Sequence, residues 1–264
     1  MKRLLWLFLF MAVAFSSCEL KLKPTADMEL TPQRMAVQRY DRLESRYLMT
    51  GDFSALQQMN VDFPVATRTL IEEMLKIGKV SDPEIHTKLL RFYQDTTLQM
   101  LVTDAEAHYA KMDDINEDFY KAFKRLKEIF PDVELPSIYA QIGALDQSIV
   151  VGENLIGISL DKYLGENYPL YQKYYSEKQR KSMNRENIVP DCLSFYLIYL
   201  FPLPDFENRT QEVRDGQVGK IQWMVNHLLE RPFFKSVYVN KAAAQVKKNP
   251  KIDFAKWLVT ADEM

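Results

Sequence analysis

Residues 137–160, SIYAQIGALDQSIVVGENLIGISL, differ in pattern from the rest of the chain and set the fold class that we predict. The stretch contains three short runs of apolar and β-branched residues, which is the pattern of β-strands. These runs are residues 137–142, 147–151 and 155–160. Gly143-Ala-Leu-Asp146 and Gly152-Glu-Asn154 separate them and have the composition of tight turns. Three consecutive strands joined by tight turns predict a small antiparallel meander.

The sequence on both sides of this stretch has helical spacing instead. Thr31-Pro32 is a hydroxyl residue followed by proline, and Ser81 lies three residues before Glu84; both patterns are typical of helix starts. Before the sheet, the predicted helices cover residues 31–48, 66–77, 81–93, 97–111 and 115–130. After the sheet, they cover residues 191–200, 217–229, 233–240 and 253–259. The order of helices, small sheet and helices predicts a mostly helical α+β fold.

The first residues, MKRLLWLFLFMAVAFSSC, have the features of a secretory signal peptide. A basic head precedes an apolar run at residues 4–15, which is too short to span a bilayer comfortably. Cys18 follows two serines, as in bacterial lipoprotein signals, where the cysteine is lipidated with fatty acids such as palmitate. We therefore predict a signal peptide at residues 1–17, a lipidated tether at 18–30 and a single domain at 31–264. An uncleaved signal anchor is the alternative.

Composition limits the remaining possibilities. The formal net charge of −2, with both signs interspersed, gives no basic face and argues against nucleic-acid binding. The only cysteines are Cys18 and Cys192, so acylation of Cys18 leaves no pair for an intramolecular disulfide. Hydrophobic residues make up 47% of the chain, which is enough for a core. Eight glycines without a Gly/Ser-rich stretch argue against a flexible linker, so we predict one compact domain.

Several short motifs carry a family resemblance. They are Phe130-Pro-Asp, Leu135-Pro136, Ile142-Gly143, Ile156-Gly-Ile-Ser-Leu-Asp-Lys-Tyr-Leu-Gly165 and Ile188-Val-Pro-Asp191. In order and spacing, they resemble the gliding-motility lipoprotein GldB family of the Bacteroidota. The resemblance implies a lipid-anchored protein of the cell envelope, on the inner or outer membrane and facing an extracytoplasmic space. It also implies envelope proteins of a motility or secretion complex as partners.

A more distant similarity concerns zinc peptidases of the gluzincin kind, which place an H-E-x-x-H helix after a small sheet. In this chain the corresponding helix begins Asp191-Cys-Leu-Ser-Phe195, with neither histidine nor glutamate. His86, His108 and His227 lie on separate predicted helices. We therefore predict a zincin-like arrangement without metal or cofactor, and a non-catalytic protein with no catalytic residues. A hydrolase of the peptidase type with an unrecognised active site is the alternative.

Candidate binding residues are Asp161, Lys162 and Tyr163, which follow the last predicted strand, and Asp191 at the start of the next helix. We expect the first three to face a groove between sheet and helices, where a partner protein or ligand binds. The tyrosines at positions 168, 171, 174 and 175 are candidates to line it, although ordinary packing over the sheet edge also explains them. Cys192 lies near a helix start, where a thiol can be activated, but a small buried hydrophobe is the favoured interpretation.

Overall fold

The structure of the protein is a computed structural model that describes residues 30–261. Cys18, the predicted signal peptide and most of the predicted tether lie outside the described residues. From Thr31 onward the chain groups into one compact unit.

Six α-helices precede the sheet and six follow it within the described part of the chain. The first six are α1 Tyr40–Thr50, α2 Phe53–Asp62, α3 Pro64–Arg68, α4 Ile85–Phe92, α5 Thr96–His108 and α6 Asp113–Ile129. The strands are β1 Ser137–Gln141, β2 Ile149–Gly152 and β3 Leu155–Ser159. The last six helices are α7 Pro169–Tyr174, α8 Glu177–Arg180, α9 Ile188–Leu200, α10 Gln211–Leu229, α11 Val237–Lys248 and α12 Phe254–Val259. A π-helix, Thr69–Met74, extends α3. The predicted mostly helical α+β fold is confirmed, and the zincin-like arrangement stays a prediction.

The sheet is mixed, so the predicted antiparallel meander is wrong. Its strand order is β1-β3-β2, with β3 in the centre. β3 runs antiparallel to β2, with Val150 opposite Gly157, and parallel to β1, with Ile138 opposite Ile156. The cause is the segment after β1, which is not a hairpin turn. Ala144 and Leu145 adopt left-handed backbone conformations there, and the chain crosses to the far side of the position that β3 later fills.

The segment before α1 also differs from the prediction, because Thr31-Pro32 begins a turn rather than a helix. The hydroxyl of Thr31 accepts the N–H of Arg34 at 3.2 Å, and the first α-helix among residues 30–261 begins only at Tyr40. Between them, Gln38 donates its N–H to the carbonyl of Ile138 at 2.8 Å. This parallel bridge covers the outer edge of β1.

Both faces of the sheet are buried. On one face, Tyr139 packs edge-on against Tyr40 of α1 at 6.0 Å, and the amide of Gln141 reaches the sulfur of Met74 at 2.9 Å. The buried residues Ile138, Ile156 and Ile158 point to the other face. α9 packs against β2 and β3 and contacts α6 through Tyr196 and Phe123. The sheet is therefore the centre of the core and a rigid support for the loops at its ends.

Gly157 of β3 lies in close contact with the Tyr139 side chain of β1. The ring of Tyr139 crosses directly over it, and a Cβ at position 157 would lie 2.5 Å from the Tyr139 hydroxyl oxygen. Gly152, in β2, has open space at the corresponding position.

We predict that Gly157→Ala lowers the free energy of unfolding by about 1–3 kcal/mol, because the added methyl group forces the Tyr139 ring out of its packed position. Gly152→Ala is the matched control and should change it by less than about 0.5 kcal/mol. Urea unfolding of both variants measures the difference. Equal effects would contradict the close packing of Tyr139 on β3.

Candidate functional site

Two fully buried carboxylates hold the loop that leaves β1. Asp161 lies in the 3₁₀ turn Leu160–Lys162, directly after β3, and accepts the N–H groups of Gly143 at 2.7 Å and Leu145 at 2.6 Å. Glu44 of α1 accepts the N–H of Ile142 at 2.8 Å. The side chain of Asp161 therefore does not face the expected groove. It satisfies backbone donors that would otherwise be buried without a partner.

The same burial shifts the protonation of these groups. Loss of water raises the pKa of Glu44 well above its usual range, and the hydrogen bond from Ile142 only partly opposes this. Burial also raises the pKa of Asp161, against the two N–H bonds that favour its charged form. Sequence reasoning missed Glu44. The available signal was a carboxylate on the face of α1 that also carries the buried residues Tyr40, Tyr47 and Leu48.

The other three candidate residues line one small pocket. Lys162, Tyr163 and Asp191 surround a cavity of about 210 Å³. Its remaining lining consists of Ser148, Tyr175, Gln179, Ser182 and Met183. The 3₁₀ turn after β3 supplies Lys162, and the first turn of α9 supplies Asp191. The structure thus brings together residues that are distant in sequence: Tyr163 and Asp191 are 28 positions apart and are joined by a hydrogen bond.

The polar groups of this pocket are arranged by hydrogen bonds. The Lys162 ammonium donates to the Leu145 carbonyl at 3.2 Å and the Tyr175 hydroxyl at 3.1 Å, and it lies 4.6 Å from the centre of the Tyr175 ring. Tyr163 donates its hydroxyl to Asp191 at 2.9 Å. Burial raises the pKa of Asp191 to about 6, although the hydrogen bond from Tyr163 favours the charged form. The pocket therefore presents a cation and a carboxyl group that titrates near neutral pH.

The tyrosine run after the candidate residues divides between packing and lining. Tyr168 donates to Asp104 at 2.7 Å, and Tyr171 is buried with its hydroxyl on the Asp161 carbonyl. Tyr174 is exposed and does not line the small pocket. Tyr175 lines it and also donates to the Leu145 carbonyl at 3.1 Å. Ordinary packing thus accounts for Tyr168 and Tyr171, whereas Tyr175 belongs to the candidate site.

Cys192 and the histidines occupy ordinary structural positions. Cys192 is fully buried, and burial raises the pKa of its thiol well above the usual range, so the start of α9 does not activate it. His86, His108 and His227 lie on α4, α5 and α10, respectively. Among residues 30–261, no three histidine, cysteine, aspartate or glutamate side chains are grouped as metal ligands would be.

The architecture is that of a mostly helical α+β protein with a short mixed sheet, and its pocket lies where β3 and α9 meet. A family model described as gliding motility protein GldB matches residues 21–249, and the chain therefore belongs to the GldB family. The resemblance seen in the sequence is confirmed. Membership associates the chain with gliding motility and with the cell envelope.

Neither a curated protein nor a solved structure matches the chain significantly. Within residues 30–261, no helix has both the length and the apolar character needed to cross a membrane.

We predict that Asp161→Ala lowers the free energy of unfolding by about 3 kcal/mol, because two buried N–H groups lose their charged acceptor. Asp146→Ala is the matched control: Asp146 lies in the same loop and is exposed, so its loss should cost less than about 0.5 kcal/mol. Chemical denaturation provides the comparison. If both variants unfolded at the same denaturant concentration, Asp161 would not be the anchor of the loop.

Asp191 should add a pH dependence to stability. Its pKa is about 6 in the folded protein, against 3.8 for an ordinary aspartate, so the folded state keeps a proton that the unfolded state loses. This contribution is fully present below about pH 4 and is lost as the pH rises through 6. Asp191→Asn does not titrate, so its stability relative to the parent should increase by about 2 kcal/mol from pH 4 to pH 7.

Urea unfolding at pH 4, 5, 6 and 7 tests this expectation, with Asp146→Asn as the exposed control. Parallel pH profiles for the parent and Asp191→Asn would show that the carboxyl group has an ordinary pKa.

Proposed function

We propose that the protein is a lipid-anchored, extracytoplasmic and non-catalytic component of gliding or cell-envelope machinery, and that it binds a partner protein. The observation that carries the proposal is the pocket in which Lys162, Tyr163 and Asp191 meet. Membership of the GldB family supports the place of the chain in a motility or envelope complex.

The anchoring part of the proposal rests on the sequence. A basic head, an apolar run and two serines precede Cys18, and the family match begins at residue 21, just after this cysteine. Lipidation at Cys18 would hold the domain at a membrane surface on a tether of about a dozen residues. One acyl chain gives only reversible membrane binding, so the several chains of a lipoprotein anchor are required for stable attachment.

The chemistry of the pocket favours binding over catalysis. Lys162 and Tyr163 are held by hydrogen bonds to neighbouring protein groups, and the candidate nucleophile Cys192 is buried in the core. The remaining polar lining consists of the Asp191 carboxyl group, the hydroxyl groups of Ser148, Tyr175 and Ser182, and the amide of Gln179. Such groups exchange hydrogen bonds with the backbone and side chains of another protein.

The proposal predicts separable effects of Cys18→Ala and Lys162→Met in a strain that carries the gene as its only copy. Cys18→Ala should abolish labelling with a fatty-acid analogue and release the protein from the membrane fraction. Lys162→Met should leave labelling and thermal stability nearly unchanged, because the residue is partly exposed. It should nevertheless reproduce the phenotype of the gene deletion, because the pocket loses its cation.

Lys248→Met is the matched control for the second variant, since Lys248 is exposed on α11. It should support a wild-type phenotype. Full complementation by Lys162→Met would reject the pocket as the binding site. Undiminished fatty-acid labelling of Cys18→Ala would reject the lipid anchor.

A further inference from the structure

β2 is an edge strand, and its register with β3 shows which of its residues direct their backbone N–H and C=O groups away from the sheet. It pairs on one side with β3 and has no neighbouring strand on the other side within the described chain. Ser159 donates its N–H to the carbonyl of Ser148 at 2.9 Å, and these residues are opposite each other in the register. Because antiparallel partners alternate, Val150 and Gly152 also direct their backbone groups towards β3. Ile149 and Val151 must therefore direct theirs away from the sheet.

These outward groups are not occupied. Within residues 30–261, no backbone or side-chain hydrogen bond outside the sheet uses the N–H or C=O of Ile149 or Val151. The opposite edge of the sheet differs, because there Gln38 bonds to Ile138 and Ala140 of β1. An uncovered edge with two N–H and two C=O groups is a template for one more extended strand.

Helix α9 runs alongside this edge strand. At the start of β2, Asp191 and Ser148 line the same pocket. At its end, Asn154 donates to the carboxylate of Glu134 at 2.7 Å, and the Tyr196 hydroxyl donates to the Glu134 carbonyl at 2.5 Å. The first half of α9 therefore follows β2 along its full length.

The outer surface of α9 is apolar. Phe195, Ile198 and Tyr199 are exposed by 46%, 43% and 47%, respectively. Phe195 and Ile198 are four and seven residues after Asp191, so Asp191, Phe195 and Ile198 share one helix face. That face begins as polar at the pocket and continues as an apolar stripe along α9, the helix that packs against β2. A surface of this kind marks an interaction site more often than isolated exposed residues do.

We propose that an extended segment of the partner protein adds to β2 as a fourth strand and lays alternate apolar side chains against Phe195 and Ile198. The free backbone groups of Ile149 and Val151 require a partner in strand conformation, since only that conformation presents donors and acceptors at the matching spacing. This inference rests on the proposed function, in which the chain binds a partner protein.

Charge complementarity identifies one further property of the segment. Lys162 lies at the pocket end of this surface, and its ammonium contacts uncharged oxygen atoms, with no carboxylate within 4.0 Å among the described residues. A carboxylate on the segment would complete its coordination. A second copy of this chain fits less well, because two four-residue strands bury far less than the roughly 800 Å² per partner of a stable interface.

The test uses the mature lipidated protein in detergent and a displayed library of random decapeptides. Enriched peptides should alternate apolar and polar residues and carry an acidic residue near one end. N-methylation of the enriched peptide should weaken binding at least tenfold at every second amide and leave the intervening positions nearly unchanged. Hydrogen exchange should show the amides of Ile149 and Val151 protected only when the peptide is bound.

Matched variants test the surface on the protein. Val151→Pro removes one outward N–H without breaking a bond to β3 and should weaken peptide binding at least tenfold, whereas Val151→Thr should not. Phe195→Ser should weaken it as well. Phe53→Ser is its control, because Phe53 is 72% exposed on α2 and does not belong to this surface.

Failure of enrichment, or an N-methylation profile without period two, would overturn the strand addition. So would a parent protein that is dimeric and becomes monomeric on Val151→Pro, since the occupant would then be a second copy. Complementation separates this inference from the proposed function. If Val151→Pro and Phe195→Ser support the wild-type phenotype and Lys162→Met does not, the strand addition is wrong and the pocket function stands. If Lys162→Met also supports it, the proposed function itself is wrong.

Discussion

Two buried carboxylates fix the loop after β1 by hydrogen bonds, and this loop determines both the strand order and the shape of the pocket. Asp161 and Glu44 together hold the N–H groups of Ile142, Gly143 and Leu145. This fixes a loop with two consecutive left-handed residues, Ala144 and Leu145. The loop carries the chain past the position of β3, so β2 becomes the edge strand. The Leu145 carbonyl, held in place by the same loop, accepts from Lys162 and Tyr175 and so shapes the pocket.

This arrangement has an energetic cost that burial imposes. Moving a carboxylate out of water is unfavourable, and the raised pKa values of Glu44 and Asp161 express that cost. Hydrogen bonds from backbone N–H groups offset part of this unfavourable free energy. They also satisfy N–H groups that have no partner within a strand or helix. An apolar residue at position 161 would avoid the cost of burying charge but would leave the N–H groups of Gly143 and Leu145 without partners. The carboxylate thus specifies one loop conformation, and its removal would leave two buried donors without an acceptor.

Local pattern was sufficient for the strands of this fold but not for their connection or for every helix, since the helix predicted from Thr31 begins only at Tyr40. The three apolar runs predicted the strands to within about two residues, because period and turn composition are local properties. The strand order was wrong because it depends on contacts that are distant in sequence, such as the bond from Ile142 to Glu44 across 98 positions. The site divided in the same way. Their position after a strand predicted that Lys162 and Tyr163 lie at a groove, and both line the small pocket. The same reasoning could not show that Asp161, their neighbour, turns into the core.

The pocket and the open edge of β2 are parts of one surface, and the same residues explain why. Asp191 begins the face of α9 that continues to Phe195 and Ile198, and Ser148 precedes the strand whose outer groups are free. Open strand edges are prone to aggregation, and proteins commonly cover them, as Gln38 does for β1. The edge of β2 is short, and only Ile149 and Val151 direct backbone N–H and C=O groups away from the sheet. A strand this short limits nonspecific pairing, since few hydrogen bonds are available without contacts from the helix. Recognition then requires a segment that matches the edge, the helix stripe and the pocket at once, which is how a small surface becomes selective for one partner.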